Sequence, residues 1–162
     1  MLHLAYKFHQ LNFAKLMEVY AEGNKENGRL YFTELPENEQ LLRTEQSFYQ
    51  YLAQSFFHTD GAVYAIWEEE GSYCSALRLE PYQDGLLLEA LETAPAFRRK
   101  GYATALLLAV RKQFPGKIYS HVHRQNAASL AAHQSCGFVQ ILDYARYIDG
   151  SVARNAVTLL WE

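Results

Sequence analysis

The stretch Phe97-Arg98-Arg99-Lys100-Gly101-Tyr102-Ala103-Thr104 decides the fold, because it joins an apolar strand to an apolar helix. Before it, residues 86–93 (LLLEALET) form a predicted buried strand, and after it apolar residues recur at helical spacing over 103–114. The first amides of such a helix have no intrahelical partner and lie at the positive end of the helix dipole. A basic turn with a glycine at this point therefore predicts an anion site, typically for a phosphate.

The composition is that of an ordinary globular protein. The chain has 162 residues, of which 49% are hydrophobic and 20% charged, with a net charge of −3, and this length predicts a single domain over residues 1–162. The negative charge argues against a general nucleic-acid-binding protein, which needs a broad basic surface. No apolar run approaches the roughly 20 residues that span a bilayer, and Cys74 and Cys136 lack metal-ligand spacing. We therefore expect a cytoplasmic protein without a membrane, nucleic-acid or metal partner.

The order of predicted elements indicates a mixed α/β (α+β) fold. Strand 86–93, helix 103–114 and strand 118–123 form a predicted right-handed parallel crossover, and the other strands form hairpins. The segment 22–28 contains two glycines and predicts a loop that ends the first helix. The other predicted elements are strands 2–8, 62–67, 73–79, 138–147 and 153–161 and helices 13–20, 39–58 and 127–136.

Two motifs in the central unit resemble those of a known family. The first is Arg98-x-x-Gly101-x-Ala103, and the second is Asn126-x-x-Ser129-Leu130, with Gly137-Phe138 beginning eleven residues after the asparagine. Together with the element order they resemble the GNAT N-acetyltransferase superfamily, whose acyl-CoA-binding pattern is Arg/Gln-x-x-Gly-x-Gly/Ala. The resemblance implies a GNAT-like, mostly antiparallel sheet of about seven strands with a central splayed parallel pair, flanked by about four helices.

The resemblance also implies acetyl-CoA as a co-substrate, lying between strands 86–93 and 118–123. Its pyrophosphate is expected on backbone amides of residues 99–104, and its pantetheine arm along residues 91–93, where a splayed strand leaves amides and carbonyls unpaired. One of these amides is expected to polarise the thioester carbonyl. The predicted cofactor-binding residues are Leu91, Glu92, Thr93, Arg98, Arg99, Lys100, Gly101, Tyr102, Ala103, Thr104, Asn126 and Ser129.

Histidines stand where the family places catalytic groups. Many members carry a tyrosine seven residues after the asparagine, which protonates the leaving thiolate, and here that position is His133. Because seven residues are close to two helical turns, we expect Asn126 and His133 to share a face. Some members carry a glutamate five residues before the asparagine, and here that position is His121, with His123 on the same strand face. The alternative for each is a histidine that only packs or caps.

Two carboxylates of strand 86–93 are further candidates for a general base. Strand periodicity places Glu89 on the face of Leu91 and Thr93, where burial would raise its pKa towards a useful range. Glu92 points to the other face in a regular strand, and a bulge would exchange the faces. The alternative is that both are carboxylates facing solvent or paired with an arginine.

The sequence thus predicts an N-acetyltransferase that transfers an acetyl group from acetyl-CoA to a primary amine of a small molecule or peptide, by direct attack on the thioester. The predicted catalytic residues are His133, His121 and Glu89, with Glu92 and His123 as alternatives. The alternative function is a non-catalytic acyl-CoA-binding or regulatory module, which the missing tyrosine favours. The acceptor, the acyl group and the oligomeric state, monomer or homodimer, are left open.

Overall fold

The computed structural model describes residues 1–162, which form a seven-stranded sheet, a separate two-stranded ladder and five α-helices. The strands are β1 (Leu2–Ala5), β2 (Val63–Glu69), β3 (Ser72–Tyr82), β4 (Gly85–Thr93), β5 (Ile118–His123), β6 (Val139–Leu142), β7 (Ala145–Arg146), β8 (Val152–Ala153) and β9 (Ala156–Trp161). The helices are α1 (Phe13–Val19), α2 (Ala21–Tyr31), α3 (Glu37–Gln54), α4 (Tyr102–Gln113) and α5 (Ala127–Ser135). None of these helices has the length and apolar character needed to cross a membrane.

The sheet has the strand order β1-β2-β3-β4-β5-β9-β6. Only β4 and β5 are parallel, and helix α4 connects them; every other neighbouring pair is antiparallel. This arrangement confirms the predicted mixed, mostly antiparallel sheet with a central parallel pair. The structure adds a fifth helix to the four that were predicted.

The parallel pair is joined along only part of its length. Residues 86–88 of β4 pair with residues 118–120 of β5, and no pairing follows between these two strands. Beyond that point β4 stays paired with β3 as far as Thr93, and β5 stays paired with β9 as far as His123. The two strands therefore splay apart and open a gap in the middle of the sheet.

The sheet is covered on both faces by apolar side chains. On one face, Leu106 and Val110 of α4 pack on β4 and β5 with Leu88 and Val122. On the other face, the aromatic and aliphatic side chains of the α1–α3 region pack on β2 and β3, among them Leu16, Tyr20, Leu52, Phe56 and Tyr64. Burial of each large side chain contributes about 1.5–3 kcal/mol, so these two layers hold the sheet rigid at both sides of the gap.

Helix α2 corrects the prediction of a loop over residues 22–28. Its two glycines allow close packing instead of ending a helix. A Cβ on Gly28 would lie 3.0 Å from the carbonyl oxygen of Gln40 in α3, and a Cβ on Gly23 would lie 2.6 Å from Oε1 of Glu92 in β4. A single sequence does not distinguish such glycines from turn glycines, because the neighbours that need the space are distant along the chain.

A bulge in β4 places its two carboxylates on the same side of the sheet, where strand alternation predicts opposite faces. Glu92 pairs with Ala76 and Glu89 with Arg78, so Ala90 and Leu91 both lie opposite one residue of β3. Ala90 takes the left-handed conformation (φ +54°) that such an extra residue adopts. Leu91 packs towards α4, and Ala90 packs towards the α1–α3 layer. Strand alternation therefore fails across the bulge, and the prediction that Glu89 shares a face with Leu91 is wrong.

The last segment of the chain is divided into more strands than predicted. The expected strand over 138–147 is split into β6, which pairs with β9, and β7, which pairs with β8. The hairpin signal at residues 149–151 is real, because Asp149 accepts hydrogen bonds from the backbone amide and the hydroxyl of Ser151. The hairpin belongs to β7 and β8 alone, since β9 pairs with β5 and β6 in the main sheet.

Candidate functional site

The splayed edge of β4 presents unpaired backbone groups. The amide of Ala94 donates to the carbonyl of Cys74 in β3 at 2.8 Å. Because amides alternate in direction along a regular strand, that of Thr93 points away from β3, towards the gap beside β5, while Leu91 lies at an irregularity of β4 on the same edge. An extended ligand with its own amides fits this edge as a further strand would.

A turn with two left-handed residues leads from this edge to helix α4. Arg99 (φ +61°) and Gly101 (φ +80°) both have positive φ, and the helix begins at Tyr102. The first helical hydrogen bond runs from the amide of Ala105 to the carbonyl of Gly101, so the amides of residues 102–104 have no backbone acceptor. A Cβ on Gly101 would meet nothing within 4 Å, which means that the turn opens directly onto free space. Such a cluster of amides at a helix start favours an anion.

The three basic side chains of the turn have different surroundings. Arg98 forms an ion pair of 2.7 Å with Glu22 of α2, and both side chains are about half exposed. The Lys100 ammonium lies 5.5 Å from the centre of the Phe97 ring. Arg99 forms no ion pair. The turn therefore keeps two cations, Arg99 and Lys100, whose charges no protein carboxylate neutralises, beside the free amides.

The strand edge, the turn and helix α5 enclose a cleft of about 620 Å³. All of the predicted cofactor-binding residues except Lys100 line it, including Asn126, whose side chain caps α5 by accepting from the Ser129 amide. The sequence did not identify the contribution of α2 to this cleft, because that segment was predicted to be a loop. The cleft residues outside the prediction are Glu22, Gly23, Glu26, Phe97, Ala128 and Ala132.

Glu92 is the titratable side chain of the strand edge inside this cleft. Burial raises its pKa to about 7; the charge of Arg98 opposes this shift, and Glu26 and Glu22 add to it. Its carboxylate accepts no hydrogen bond from another side chain or from the backbone. Gly23 makes room for it, since a Cβ there would collide with Oε1. Glu92 is therefore a carboxylate that changes its protonation state near neutral pH and is free to receive a proton.

Glu89 lies on the same side of the sheet as Glu92 but is already paired. Its Oε2 is 3.4 Å from Nε of Arg78, and both side chains are mostly buried. The Arg78 guanidinium also lies 4.9 Å from the centre of the Tyr51 ring. Burial and a hydrogen bond with Glu89 raise the pKa of the neighbouring Glu80 to about 7. Glu89 is therefore a carboxylate paired with an arginine, which is one of the alternatives to a general base that the sequence left open.

The two histidines of β5 do not form the pair that was expected. The His121 ring lies edge-on between Tyr82 and Tyr147, its Nε2 is buried without a hydrogen-bond partner, and burial lowers its pKa. The His123 ring is exposed, and its Nδ1 accepts from the amide of Gln125 at 3.1 Å. His121 is thus a neutral side chain at the aromatic wall of the sheet, while His123 holds the turn before α5.

His133 does not face the cleft, and the prediction of a face shared with Asn126 is wrong. It is 1% exposed and burial lowers its pKa. Its Nδ1–H donates to the Ser129 carbonyl at 2.7 Å, which leaves Nε2 to accept from Ser120 Oγ at 2.9 Å. Asn126 is the N-cap of α5 and lies outside its regular helical turns, so the seven-residue spacing does not align the two side chains. Ala132 lines the cleft in place of His133.

The fold agrees with comparisons to known proteins. The family model described as the acetyltransferase (GNAT) family matches residues 19–138. A comparison with curated protein sequences gives no match. Among solved structures, the PaiA N-acetyltransferase from Thermoplasma acidophilum in complex with coenzyme A is 14% identical with a TM-score of 0.61, covering 100% of this chain and 99% of that one.

Two other solved structures show the same fold. The ribosomal-protein-S18-alanine N-acetyltransferase from Escherichia coli is 17% identical with a TM-score of 0.55, covering 99% of this chain and 92% of that one. A GNAT-family acetyltransferase from Bacillus cereus ATCC 10987 is 16% identical with a TM-score of 0.58, covering 100% and 97%. At these identities the structures support the fold, and the family model supports the assignment. This chain belongs to the GNAT acetyltransferase family.

Proposed function

We propose that the protein transfers an acetyl group from acetyl-CoA to a primary amine of a small molecule or peptide, with Glu92 as the general base. The observation that carries this proposal is the single cleft that joins the unpaired edge of β4, the free amides at the start of α4 and the carboxylate of Glu92. The coenzyme A in the Thermoplasma relative and the alanine named as acceptor of the Escherichia coli relative are consistent with it.

The cleft offers separate groups for the two ends of acetyl-CoA. The amides of residues 102–104 and the guanidinium of Arg99 would hold the pyrophosphate. The outward amides and carbonyls of residues 91–93 would bind the amides of the pantetheine arm. An amide at this edge, that of Leu91, would donate to the thioester carbonyl as negative charge develops on its oxygen.

Glu92 has the surroundings that a base for amine acetylation needs. A pKa near 7 leaves a substantial fraction ionised at neutral pH, while the carboxylate still attracts a proton effectively. Glu26 lies in the same cleft without an ion pair and adds negative charge at its α2 side, which favours a cationic acceptor. Glu92 would take one proton from the ammonium, and the neutral amine nitrogen would then bond to the acetyl carbon to give a tetrahedral intermediate. As the carbon–sulfur bond breaks, its electron pair would leave on the CoA sulfur, and the second nitrogen proton would pass to this thiolate or to water.

One observation favours a second candidate, a module that binds acyl-CoA without turnover. No histidine or tyrosine of α5 faces the cleft, because His133 is buried against Ser120. Helix α5 therefore supplies no acid that could protonate the departing thiolate. His121 is also not positioned to protonate the thiolate, because its ring lies between the rings of Tyr82 and Tyr147.

Binding and turnover separate the two candidates. Acetyl-CoA binding is measured by calorimetry, and CoA release is measured with a thiol reagent against small primary amines, polyamines and peptides with free N-termini. Binding together with release that depends on an added amine is the expected result. Binding without release on any of these amines would favour the binding module, and absence of binding would overturn both.

A further inference from the structure

The bulge of β4 is tied to the end of helix α1 by a buried tyrosine. The hydroxyl of Tyr20 donates to the carbonyl of Ala90 at 2.7 Å, and the hydroxyl of Tyr64 donates to Tyr20 Oη at 2.7 Å. The two side chains are 3% and 0% exposed. Burial raises the pKa of Tyr64 to about 12, against the opposing charge of Arg78 nearby. A chain of buried polar groups thus ends on the bulge residue.

The carbonyl of Ala90 needs a hydrogen-bond partner from outside the sheet, because Ala90 lies outside the regular pairing of β3 and β4. It is one of two β4 residues opposite a single residue of β3, and its φ of +54° is unfavourable for a residue with a Cβ. A partly buried carbonyl that lacks a partner is costly, and the Tyr20 hydroxyl supplies that partner. The conformation of the bulge therefore depends on a side chain from a different layer of the molecule.

The hydrogen bond of Tyr20 also determines where the next amide points. The Ala90 carbonyl and the Leu91 amide belong to one planar peptide, and the structure contains no cis peptide bond, so the two groups point in opposite directions. Tyr20 holds the carbonyl towards the α1–α3 layer. The Leu91 N–H is thereby directed away from that layer, and Leu91 lines the cleft.

We propose that Tyr20 is a positioning residue for acetyl transfer, which fixes the Leu91 amide as the donor to the thioester carbonyl. This inference rests on the proposed function, since it assigns a supporting group to the amide that the proposal uses. Tyr20 itself touches neither substrate. Its hydroxyl acts through one peptide plane, so removing the hydroxyl should disturb the orientation of the amide and leave the pyrophosphate end of the cleft intact.

The test compares Tyr20→Phe with the wild-type protein and with Tyr73→Phe. Tyr73 is a matched control, because it is also buried and its hydroxyl also forms one hydrogen bond to the backbone, from the amide of Asn12. The probe is acetyl-CoA labelled with ¹³C at the acetyl carbonyl, whose infrared band moves to lower frequency when the carbonyl is polarised. Calorimetric Kd values for acetyl-CoA, kcat with an accepted amine and Tm are measured alongside.

Tyr20→Phe should lower kcat about tenfold, because a misdirected donor loses part of its transition-state stabilisation. It should also move the carbonyl band of bound acetyl-CoA back towards that of the free compound, while the Kd changes less than threefold. Tyr73→Phe should change neither the band nor kcat. An unchanged band in Tyr20→Phe, or a fall in kcat no larger than in the control, would overturn the inference.

Two further outcomes keep the test decisive. If Tyr20→Phe does not fold, Tyr64→Phe replaces it, since that variant keeps the Tyr20 hydroxyl but removes its donor. A smaller band shift in the same direction is then expected, and no shift would count against the inference. If the wild-type protein binds acetyl-CoA with a polarised carbonyl but acetylates no amine, the proposed function fails, while the band comparison still decides the role of Tyr20.

Discussion

Glu92 on β4 and His133 on α5 are titratable groups that burial shifts towards their neutral forms, yet their surroundings differ completely. His133 uses both ring nitrogens in hydrogen bonds within the protein. Glu92 accepts no hydrogen bond from another side chain or from the backbone, and it faces the cleft. The comparison teaches that a shifted pKa marks a reactive group only where the group is also free and accessible. On this criterion we propose that β4 carries the chemistry, while α5 supports the wall of the cleft.

The largest expected effect is that of Glu92→Gln. Removing a general base should lower kcat about 100-fold, with the acetyl-CoA Kd nearly unchanged. Glu89→Gln should lower kcat by less than about fivefold, because that carboxylate is already paired with Arg78. Glu18→Gln, at an exposed position of α1, is the neutral control. Steady-state kinetics with one accepted amine measure all three, and a greater loss in Glu89→Gln than in Glu92→Gln would reverse the assignment.

The contrast between Glu92 and His133 is relevant to catalysis only if acetyl-CoA occupies this cleft. The variant Gly101→Val tests whether it does. A branched side chain is strained at φ +80° and would stand in the open space before the free amides. We expect acetyl-CoA to bind about tenfold more weakly or worse, as measured by calorimetry. Gly150→Val is the matched control, because Gly150 has φ +86° and equally open surroundings but lies in the β7–β8 turn. Equal Kd values for the two variants would contradict the site.

The pH dependence sharpens the role of Glu92. With a pKa of about 7, its ionised fraction grows as pH rises, so kcat/KM should increase about tenfold per pH unit below 7 and level off above it. In Glu92→Gln this rising limb should vanish. The same upward shift means that the contribution of Glu92 to folding is present at acid pH and is lost as pH rises through about 7. Thermal unfolding of both proteins across this range measures that loss, and parallel curves would contradict the shifted pKa.

The smallest effect on catalysis is expected for His133→Phe. The variant leaves the Ser120 hydroxyl without its acceptor, so it should lower the free energy of unfolding by about 1–3 kcal/mol. Because His133 does not face the cleft, kcat and the acetyl-CoA Kd should stay within about twofold of wild type. Chemical denaturation and steady-state kinetics measure these quantities. A fall in kcat with unchanged stability would restore His133 as a catalytic residue.

Sequence reasoning identified the parts of the site that depend on local patterns. The strand, the basic turn and the helix over residues 86–114 have signals within a few residues of one another, and the structure brings this unit together as expected. The positions of the carboxylates and histidines depend on side-chain direction, which local patterns do not fix. Helical spacing placed His133 beside Asn126, but a cap residue lies outside the helical geometry. Strand alternation placed Glu89 beside Leu91, but one extra residue at Ala90 changed the faces.

The sequence by itself determined the parallel crossover, the GNAT resemblance and the basic turn at the start of α4, because periodicity, capping and glycine placement are encoded locally. Only the tertiary structure decided that residues 21–31 form a helix, that Glu92 is free while Glu89 is paired, and that Tyr20 holds the bulge. Each of these depends on contacts between residues far apart in the chain. Such contacts leave no periodic trace in a single sequence, since many different residues satisfy the local pattern equally well.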